Sequence, residues 1–328
     1  MRTAVDHRPT AHPVAAGLAD LIGRTPTVRI PVAGAAPRAS VVAKLEMANP
    51  LSSVKDRAAL SMLRAAEARG DLAPGGTIVE ATSGNTGIAL AGLAASSGYR
   101  CVIVVPDSAT VERIRLLRAL GAEVVQTPQA AGYLGAIAQA EEIAARTPGA
   151  WFPRQHENKD NVAAHYATTG PELWADLEGR IDVFVCGVGT GGTLSGIARY
   201  LKERNPRVLV VAVEPERSPV LSGGPGGPHA IPGLNGGFVA PTTDVSCIDE
   251  VITVGDEDAS KAARDLTRHT GLFVGISSGA AAFAASAVAR RPASAGLVIA
   301  AVFPDSGERY LSIWDSEPAA AQVPAVVR

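Results

Sequence analysis

The chain alternates, over nearly all of its 328 residues, between short apolar runs and stretches with helical periodicity. The runs have the length of single strands, and the stretches between them are long enough to carry the chain back across a sheet. This alternation is typical of parallel sheets covered by helices on both faces. We therefore predict an α/β fold of two three-layer units with mostly parallel sheets. The predicted strands are Thr77–Ala81, Cys101–Pro106, Glu123–Thr127, Asp182–Gly187, Val208–Glu214, Glu250–Val254 and Leu297–Phe303. The predicted helices are Gly84–Ser97, Thr110–Leu120, Leu134–Ala145, Thr169–Leu177, Thr193–Arg204, Asp258–Thr270 and Ser278–Arg290.

Two segments interrupt the alternation. Residues 155–161 (QHENKDN) are polar and are interpreted as a linker between the two α/β units. Residues 215–241 are rich in glycine and proline and show no clear periodicity. Because a long irregular loop inside a compact domain is usually functional, we expect the second segment to contribute to a functional site.

Charge and cysteine content exclude several classes of function. The formal net charge of −2 provides no general attraction to nucleic acid or to an anionic membrane. No apolar run reaches the length of a membrane span, and the first twelve residues lack the apolar centre of a signal peptide. The three cysteines are widely spaced without a Cys-x-x-Cys pair, so they suggest neither a disulfide framework nor a zinc site. We expect a cytoplasmic protein with no nucleic-acid partner, no membrane partner and no metal.

Residues 49–57 (NPLSSVKDR) place a lysine at the start of a predicted helix. The proline disfavours helical angles at the asparagine before it, and Ser52 or Ser53 can cap the helix that follows. Lys55 then lies in the first turn, where positive potential favours the neutral amine. A neutral amine can attack an aldehyde and form a Schiff base. The alternative is a surface lysine paired with Asp56, and the helix considered alone favours that alternative.

Residues 82–87 (TSGNTG) form the first of three glycine-rich turns that precede helices. The turn follows a predicted strand, which is where open α/β sheets bind ligands. It offers hydroxyl groups, an amide and free backbone N–H groups at a helix N-terminus, which together suit a carboxylate. An ordinary capped turn is the alternative, although three hydroxyls and an amide exceed what a cap requires.

Residues 187–193 (GVGTGGT) form the second turn. Successive small residues at a helix N-terminus make a cup for a phosphate group. The turn also matches the G-x-G-x-x-G pattern of dinucleotide sites, and Glu214 at the end of the next strand fits that pattern. A nicotinamide-dependent oxidoreductase is therefore one possible function at this stage.

Residues 275–279 (GISSG) form the third turn. Ser277 or Ser278 could cap the alanine-rich helix that follows. A cap is the simpler interpretation of these serines, but a serine in this position could also form a hydrogen bond with a cofactor ring.

The three turns and the Lys55 segment together resemble the cysteine synthase (O-acetylserine sulfhydrylase) family of pyridoxal-phosphate enzymes, of the tryptophan-synthase-β type. The resemblance covers about Leu21 to Ser312 and includes several long motifs. Those motifs are residues 21–26 (LIGRTP), 49–57, 80–89, 98–104, 112–121, 168–174, 187–201, 213–229, 275–280 and 303–312.

The resemblance implies roles for the residues that match the family's motifs. It implies pyridoxal 5'-phosphate as cofactor, bound in the cleft between the two units, with Lys55 as the Schiff-base lysine and catalytic base. It implies that Asn85 contacts the ring hydroxyl and Ser277 the pyridine nitrogen. The implied phosphate-binding residues are Gly189, Thr190, Gly191, Gly192 and Thr193. The implied substrate-binding residues are Thr82, Ser83, Asn85, Thr86, Gln155 and Gly233.

The implied domains are a smaller, mobile unit and a larger unit. The smaller one spans residues 47–158 and carries the lysine and the carboxylate loop. The larger one comprises residues 13–46 and 159–315 and carries the phosphate cup. We also expect a homodimer.

The implied reaction is β-replacement on an activated L-serine, such as O-acetyl-L-serine, with sulfide to give L-cysteine through an aminoacrylate intermediate. The partners are then an amino-acid substrate and a small nucleophile. A nicotinamide-dependent oxidoreductase leaves Lys55 and residues 82–87 unexplained. A scaffold without activity is disfavoured because every cofactor-contacting position matches the family pattern.

Two departures from the family pattern concern the nucleophile. Ala109 stands where the family usually has methionine, and Asn235 stands where it usually has glycine. A truncated side chain can open space, and an amide can both donate and accept hydrogen bonds. The alternative function is therefore the same chemistry with a larger nucleophile that yields a specialised β-substituted alanine. Sulfide is preferred because the resemblance is otherwise close.

Overall fold

The computed structural model describes residues 14–82 and 84–315. Its strands are β1 Thr27–Ile30, β2 Ser40–Leu45, β3 Thr77–Ala81, β4 Arg100–Pro106, β5 Glu123–Thr127, β6 Ala150–Trp151, β7 Val183–Gly187, β8 Leu209–Pro215, β9 Glu250–Val254 and β10 Val298–Phe303. Its helices are α1 Leu18–Leu21, α2 Lys55–Arg69, α3 Asn85–Ser97, α4 Val111–Ala119, α5 Gly132–Arg146, α6 Lys159–Ala164, α7 Gly170–Asp176, α8 Gly192–Arg204, α9 Asp256–Thr270, α10 Ile276–Ala289 and α11 Leu311–Asp315. All the predicted strands and helices are confirmed to within two residues at each end.

The strands form two separate sheets. The first has the order β1-β2-β10-β7-β8-β9, and the second has the order β5-β4-β3-β6. The β1–β2 pair is antiparallel, whereas every other pairing in the two sheets is parallel. The predicted fold class, two α/β units with mostly parallel sheets, is therefore confirmed.

The six-stranded sheet is covered on both faces because its side chains alternate between two apolar clusters. Val183 and Val185 of β7 pack under α9 and α10. Phe184 and Cys186 of the same strand point to the other face and pack against α7 and α8. Each cluster excludes water from one face of the sheet, which gives the three-layer arrangement.

The four-stranded sheet is also covered by helices on both faces. Ile78 of β3 packs with α2 and α3 on one face, whereas Val79 packs with α5 on the other. The helices that begin at Lys55 and Asn85 therefore share one face of this sheet, and they contact each other along it. This packing fixes the two helix N-termini on the same side of the unit.

The segment 155–161, predicted as a linker, follows β6 of the four-stranded sheet and is partly helical, because α6 begins inside it and Asn158 caps that helix by accepting a hydrogen bond from the N–H of Asp160 at 2.9 Å. The predicted cap of α10 is wrong. Neither Ser277 nor Ser278 caps α10, because the helix begins a residue earlier and Gly275 stands at its cap position. Both serines therefore lie within the first turn.

No helix in residues 14–82 or 84–315 has the length and apolar character to cross a membrane. The three cysteines, Cys101, Cys186 and Cys247, are buried and free.

Candidate active site

One cavity gathers side chains from helices on both sheets. Lys55 and Asn85 reach it from α2 and α3 of the four-stranded unit. The second and third glycine-rich turns and residues 233–234 reach it from the six-stranded unit. The lining residues are Val54, Lys55, Asn85, Cys186, Gly187, Gly189, Thr190, Gly191, Thr193, Leu194, Gly233, Leu234, Ser277, Val302, Pro304 and Asp305. Motifs that are more than 200 residues apart in the sequence therefore meet at one site.

Lys55 is the first residue of α2. The prediction that Ser52 or Ser53 caps this helix is wrong, because Val54 stands at the cap position without a side-chain cap bond. Ser53 still contacts the helix start, since its hydroxyl accepts from the backbone N–H of Lys55 at 3.3 Å. Burial lowers the pKa of Lys55 to about 8, while Cys186 and Asp305 oppose that shift. The predicted direction of the shift is confirmed, but loss of hydration is its main cause rather than the helix dipole.

A buried ion-pair cluster holds α2 in place. The Nε atom of Arg57 lies 2.7 Å from Glu46, and its Nη1 atom lies 2.6 Å from Glu172. Arg57 is 3% exposed and Glu46 is fully buried. Because Arg57 follows Lys55 by only two residues, this cluster ties the start of α2 to the six-stranded unit, to which Glu172 belongs through α7.

The second glycine-rich turn has no room for side chains. A Cβ atom on Gly189 would lie 2.2 Å from the carbonyl oxygen of Gly233. One on Gly191 would lie 2.0 Å from the hydroxyl of Thr243, and one on Gly192 would lie 2.3 Å from Asn161. The left-handed φ of +81° at Gly191 also favours glycine. The turn therefore presents backbone N–H groups at the N-terminus of α8, which is the geometry that binds anions.

The hydroxyl groups of this turn are fixed by buried partners. The Thr190 hydroxyl accepts from Asn161 Nδ2 at 3.0 Å and lies 3.5 Å from Lys55 Nζ. The Thr193 hydroxyl lies 3.2 Å from Nε2 of His165. Burial lowers the pKa of His165 well below its usual value, and Arg57 and Lys55 add to the shift. His165 therefore bonds as a neutral ring and adds no cation to this turn.

The predicted carboxylate-binding residues form a second group beside the cavity. The Thr86 hydroxyl donates to Gln155 Oε1 at 2.5 Å, and the N–H of Gly84 donates to the Thr82 hydroxyl at 3.1 Å. Asn161 donates to the carbonyl oxygen of Gln155 at 3.0 Å and also to Thr190, so it links this group to the second turn. Ser83, which was predicted with this group, lies outside the described residues.

The third turn brings Ser277 to the cavity at 4% exposure. Its hydroxyl lies 3.9 Å from the position that a Cβ on Gly233 would take. Ser278 points away into the protein, where its hydroxyl is buried without a hydrogen-bond partner. Of the two serines, only Ser277 is therefore in position to act on a ligand.

Residues 215–241 contribute to the site as expected. Gly233 and Leu234 line the cavity. Glu214, the residue that suggested a dinucleotide site, is fully buried and accepts hydrogen bonds from Leu221 N at 2.7 Å and Ser222 N at 3.0 Å. Its carboxylate therefore holds the start of this loop and is not available to a ribose.

Glu80 is a buried acid beneath the predicted carboxylate loop. Its Oε1 atom accepts from the N–H of Ala81 at 3.0 Å, whereas its Oε2 atom is buried without a partner. Burial raises the pKa of Glu80 to about 8, against the backbone N–H groups of Ala81, Gln155 and Arg154 and the charge of Arg154. The folded protein therefore retains a proton on Glu80 that the unfolded chain releases near its ordinary value of 4.5.

This proton makes stability depend on pH in a defined direction. Between pH 4.5 and about 8 the folded state binds one more proton than the unfolded state, so the free energy of unfolding falls as pH rises. We expect Glu80→Gln to have stability similar to the wild type at pH 4.5 and higher stability at pH 8.5, by up to several kcal/mol at about 1.4 kcal/mol per pKa unit. Urea unfolding at several pH values measures the difference. A difference that stays constant with pH would contradict a proton on Glu80.

Three residues at the site were missed by the sequence analysis. Asn161 joins Gln155 to Thr190, and Thr242 donates through its hydroxyl to the carbonyl oxygen of Thr190. Asp305 lines the cavity and accepts from Asn85 Nδ2 at 2.8 Å. Of the three, only Asp305 could have been predicted from the sequence, because it is a polar residue just beyond the carboxyl end of a predicted strand, where α/β sheets bind ligands.

Comparison with known proteins identifies the enzyme family to which the chain belongs. The family described as "Pyridoxal-phosphate dependent enzyme" matches residues 18–305. The chain therefore belongs to the family of pyridoxal-phosphate-dependent enzymes.

Within that class, the chain is similar to cysteine synthases. It is 46% identical to cysteine synthase of Staphylococcus aureus (strain Mu50) over 296 residues, which are 90% of this chain and 95% of that protein. A solved structure of cysteine synthase from Entamoeba histolytica matches with a TM-score of 0.91 at 37% identity, covering 98% of this chain and 96% of that one. A structure of O-ureido-L-serine synthase matches with a TM-score of 0.89 at 43% identity, covering 94% of this chain and 98% of that one. The predicted family, cofactor and β-replacement chemistry are thereby confirmed.

The cavity fits this cofactor. The second turn offers an anion cup from which Cβ atoms are excluded, and Lys55 offers a buried amine with a lowered pKa. Ser277 of the third glycine-rich turn offers a neutral hydroxyl on the wall of the same cavity. A phosphate, an aldehyde and a ring nitrogen each have a chemically suitable partner here.

Proposed function

We propose that the enzyme replaces the β-substituent of an activated L-serine, such as O-acetyl-L-serine, with sulfide to give L-cysteine. The observation that carries the proposal is the single cavity shared by Lys55, the second glycine-rich turn and Ser277. Similarity to cysteine synthases over nine-tenths of the chain supports the choice of product.

In this proposal the cofactor's phosphate is bound by the second turn. The N-terminus of α8 supplies backbone N–H groups, and the hydroxyl groups of Thr190 and Thr193 are held nearby by Asn161 and His165. The phosphate-binding set is Gly189, Thr190, Gly191, Gly192 and Thr193. When bound, pyridoxal phosphate supplies an aldehyde and an electron-withdrawing ring that stabilises negative charge at the substrate Cα.

Lys55 is proposed to attach the cofactor and, when released, to take the proton from Cα of the amino acid. A general base works best when its pKa is near the working pH, and the value of about 8 for Lys55 meets that requirement. An amine with the ordinary pKa of 10.5 would be protonated almost completely at neutral pH.

Asn85 is proposed to contact the ring hydroxyl and Ser277 the ring nitrogen. A serine hydroxyl carries no charge, so it does not hold that nitrogen protonated as a carboxylate would. A pyridoxal phosphate ring held by Ser277 would therefore withdraw fewer electrons, which would favour loss of a β leaving group over transamination.

The substrate carboxylate is proposed to bind the N-terminus of α3. The set is Thr82, Ser83, Asn85, Thr86, Gln155 and Gly233. The Thr86 and Gln155 side chains bond to each other, so a carboxylate would have to replace that contact. We therefore propose that residues 82–87 close on the substrate.

The two departures from the family pattern have structural explanations that do not require a larger nucleophile. The Asn235 amide does accept and donate hydrogen bonds, but its partners belong to the protein: the residue is 4% exposed, accepts from Ser218 Oγ at 2.8 Å and donates to Ser218 O at 2.9 Å. Ala109 packs against the apolar cluster of α2 and α3 and does not line the cavity. Sulfide therefore remains the proposed nucleophile.

The proposed assembly follows the two sheets. Strands β3–β6 support a smaller, mobile unit of residues 47–158, and the other six strands support a larger unit of residues 13–46 and 159–315. The exposed apolar residues Val14 and Leu21, in a groove beside α2, support a homodimer. Three free, buried cysteines support a reducing, cytoplasmic location.

A competition experiment tests the proposed reaction. The holoenzyme is supplied with O-acetyl-L-serine and equal concentrations of sulfide and a larger nucleophile, such as a thiol or a hydroxylamine-type compound, and products are identified by mass spectrometry. We expect cysteine to dominate. A product from the larger nucleophile with a higher kcat/KM would overturn sulfide as the acceptor, and no turnover with any pair would overturn the proposed substrates.

A further inference from the structure

Residues 303–312 (FPDSGERYLS) belong to the motifs of the resemblance but have no assigned role. In the structure, the carbonyl oxygen of Pro304 accepts from the N–H of Val54 at 2.8 Å, and that of Asp305 accepts from the N–H of Gly275 at 3.0 Å. Val54 precedes Lys55, and Gly275 precedes the helix that carries Ser277. The backbone of this segment is therefore bonded to two of the elements that form the cavity.

The Asp305 side chain bonds to Asn85 at the start of α3, which is a third element of the cavity. Asp305 is 1% exposed, and its Oδ2 atom accepts from Nδ2 of Asn85 at 2.8 Å and from the hydroxyl of Tyr310. On the other side of the same carboxamide, Nη1 of Arg309 donates to Asn85 Oδ1. Both ends of the Asn85 amide are therefore occupied by partners from one segment.

These partners determine which way the amide faces. A carboxylate only accepts hydrogen bonds and a guanidinium only donates them, so the amide nitrogen must face Asp305 and the amide oxygen must face Arg309. Asp305 uses one of the two hydrogens on Asn85 Nδ2. The other hydrogen remains for a ligand in the cavity that Asn85 lines.

We propose that Asp305 is a positioning residue, which together with Arg309 holds the Asn85 carboxamide in one orientation and directs its N–H to the cofactor's ring hydroxyl. The inference rests on the role proposed above for Asn85, but not on the identity of the amino acid or the nucleophile.

Packing alone does not explain a carboxylate at position 305. Its Oδ1 atom is buried without a hydrogen-bond partner, which is a costly arrangement for a charged group. The protein also leaves space for that atom, because a Cβ on Gly275 would lie 2.0 Å from it. Burial raises the pKa of Asp305, and Tyr310, Asn85, Arg309 and Arg113 oppose the rise. An apolar side chain would fill this position at lower cost if Asp305 served only the fold.

The test compares Asp305→Ala with two related variants. Tyr310→Phe is the matched control, because it removes the other hydrogen-bond donor to Asp305 and leaves Asn85 unchanged. Asn85→Ala removes the group through which Asp305 is proposed to act. The cofactor is removed from each purified holoenzyme and titrated back, and both the affinity for pyridoxal phosphate and the absorbance maximum of the bound form are recorded.

We expect Asp305→Ala to weaken cofactor binding about tenfold and to shift the absorbance maximum, while Tyr310→Phe stays within about twofold of the wild type. In the Asn85→Ala background, Asp305→Ala should add less than about twofold, because its target is gone. The proposal is overturned if Asp305→Ala behaves as the wild type, or if its effect is equally large in both backgrounds. Should Asp305→Ala fail to fold, Asp305→Leu fills a similar volume without a hydrogen-bond acceptor for Asn85, and the same two comparisons decide. A wild type that binds the cofactor but does not turn over the proposed substrates would count against the proposed reaction only.

Discussion

Replacing Lys55 by alanine is expected to abolish turnover, with kcat falling by at least about three orders of magnitude, because attachment of the cofactor and proton transfer at Cα both depend on this amine. Lys55 lies at the start of α2 and lines the cavity 3.5 Å from Thr190. The substitution removes a side chain at the cavity wall, so we expect the fold to persist. Turnover is measured together with borohydride reduction of the holoenzyme and peptide mapping of the labelled residue.

Lys55→Arg is the matched control for charge, since arginine keeps the cation but cannot become a neutral nucleophile at working pH. Both variants should be inactive, and only the wild type should carry a borohydride-stable label, at Lys55. Because the pKa of Lys55 is lowered to about 8, the rate at which cofactor-free wild type recovers activity should rise with pH, with a midpoint near 8. A label on Lys44 or on any other lysine would show that the assignment is wrong.

Much of the fold is readable from the sequence because strand and helix signals alternate there. β1 and β2 were nevertheless missed. β2 is an apolar run interrupted by Lys44, a residue that argues against a buried strand. The structure resolves this conflict by pairing Lys44, which is 1% exposed, with Glu172 at 3.1 Å and Asp176 at 2.8 Å. Those carboxylates lie more than 120 residues away, so sequence periodicity carries no information about them.

The contribution of the polar segment 155–161 to the site was missed for a related reason. Polar residues are usually exposed, but Gln155 and Asn161 are 6% and 1% exposed. They are buried because they bond to each other and to Thr86 and Thr190. The predicted linker therefore also joins the predicted carboxylate loop to the second glycine-rich turn.

The candidate site was predicted where its residues are adjacent in the sequence. Glycine-rich turns that open helices can be recognised locally, because the backbone geometry they need is local. The contacts between motifs could not be predicted in the same way. The bond from Asn85 to Asp305 spans 220 residues, and it depends on how the two units pack against each other.

The second large effect is expected at the phosphate cup. In Gly189→Ala the new Cβ would lie 2.2 Å from the carbonyl oxygen of Gly233, which is a backbone atom and cannot rotate away. One of the two loops must move, so N–H groups of the cup lose their alignment with the phosphate. Since each hydrogen bond to a charged group contributes about 1.5–3 kcal/mol, we expect pyridoxal phosphate to bind about 10- to 100-fold more weakly.

Gly187→Ala separates this effect from a general cost of adding a methyl group. Gly187 lies two residues away, and its Cβ would contact only Cδ2 of Leu234, at 2.7 Å, at the flexible end of that side chain. We expect a much smaller loss of affinity in this variant. Titration with pyridoxal, which lacks the phosphate, provides the second comparison, because Gly189→Ala should weaken binding of pyridoxal phosphate far more than binding of pyridoxal. If the two ligands lose equal affinity, or if Gly187→Ala is as damaging as Gly189→Ala, then the phosphate does not bind at the N-terminus of α8.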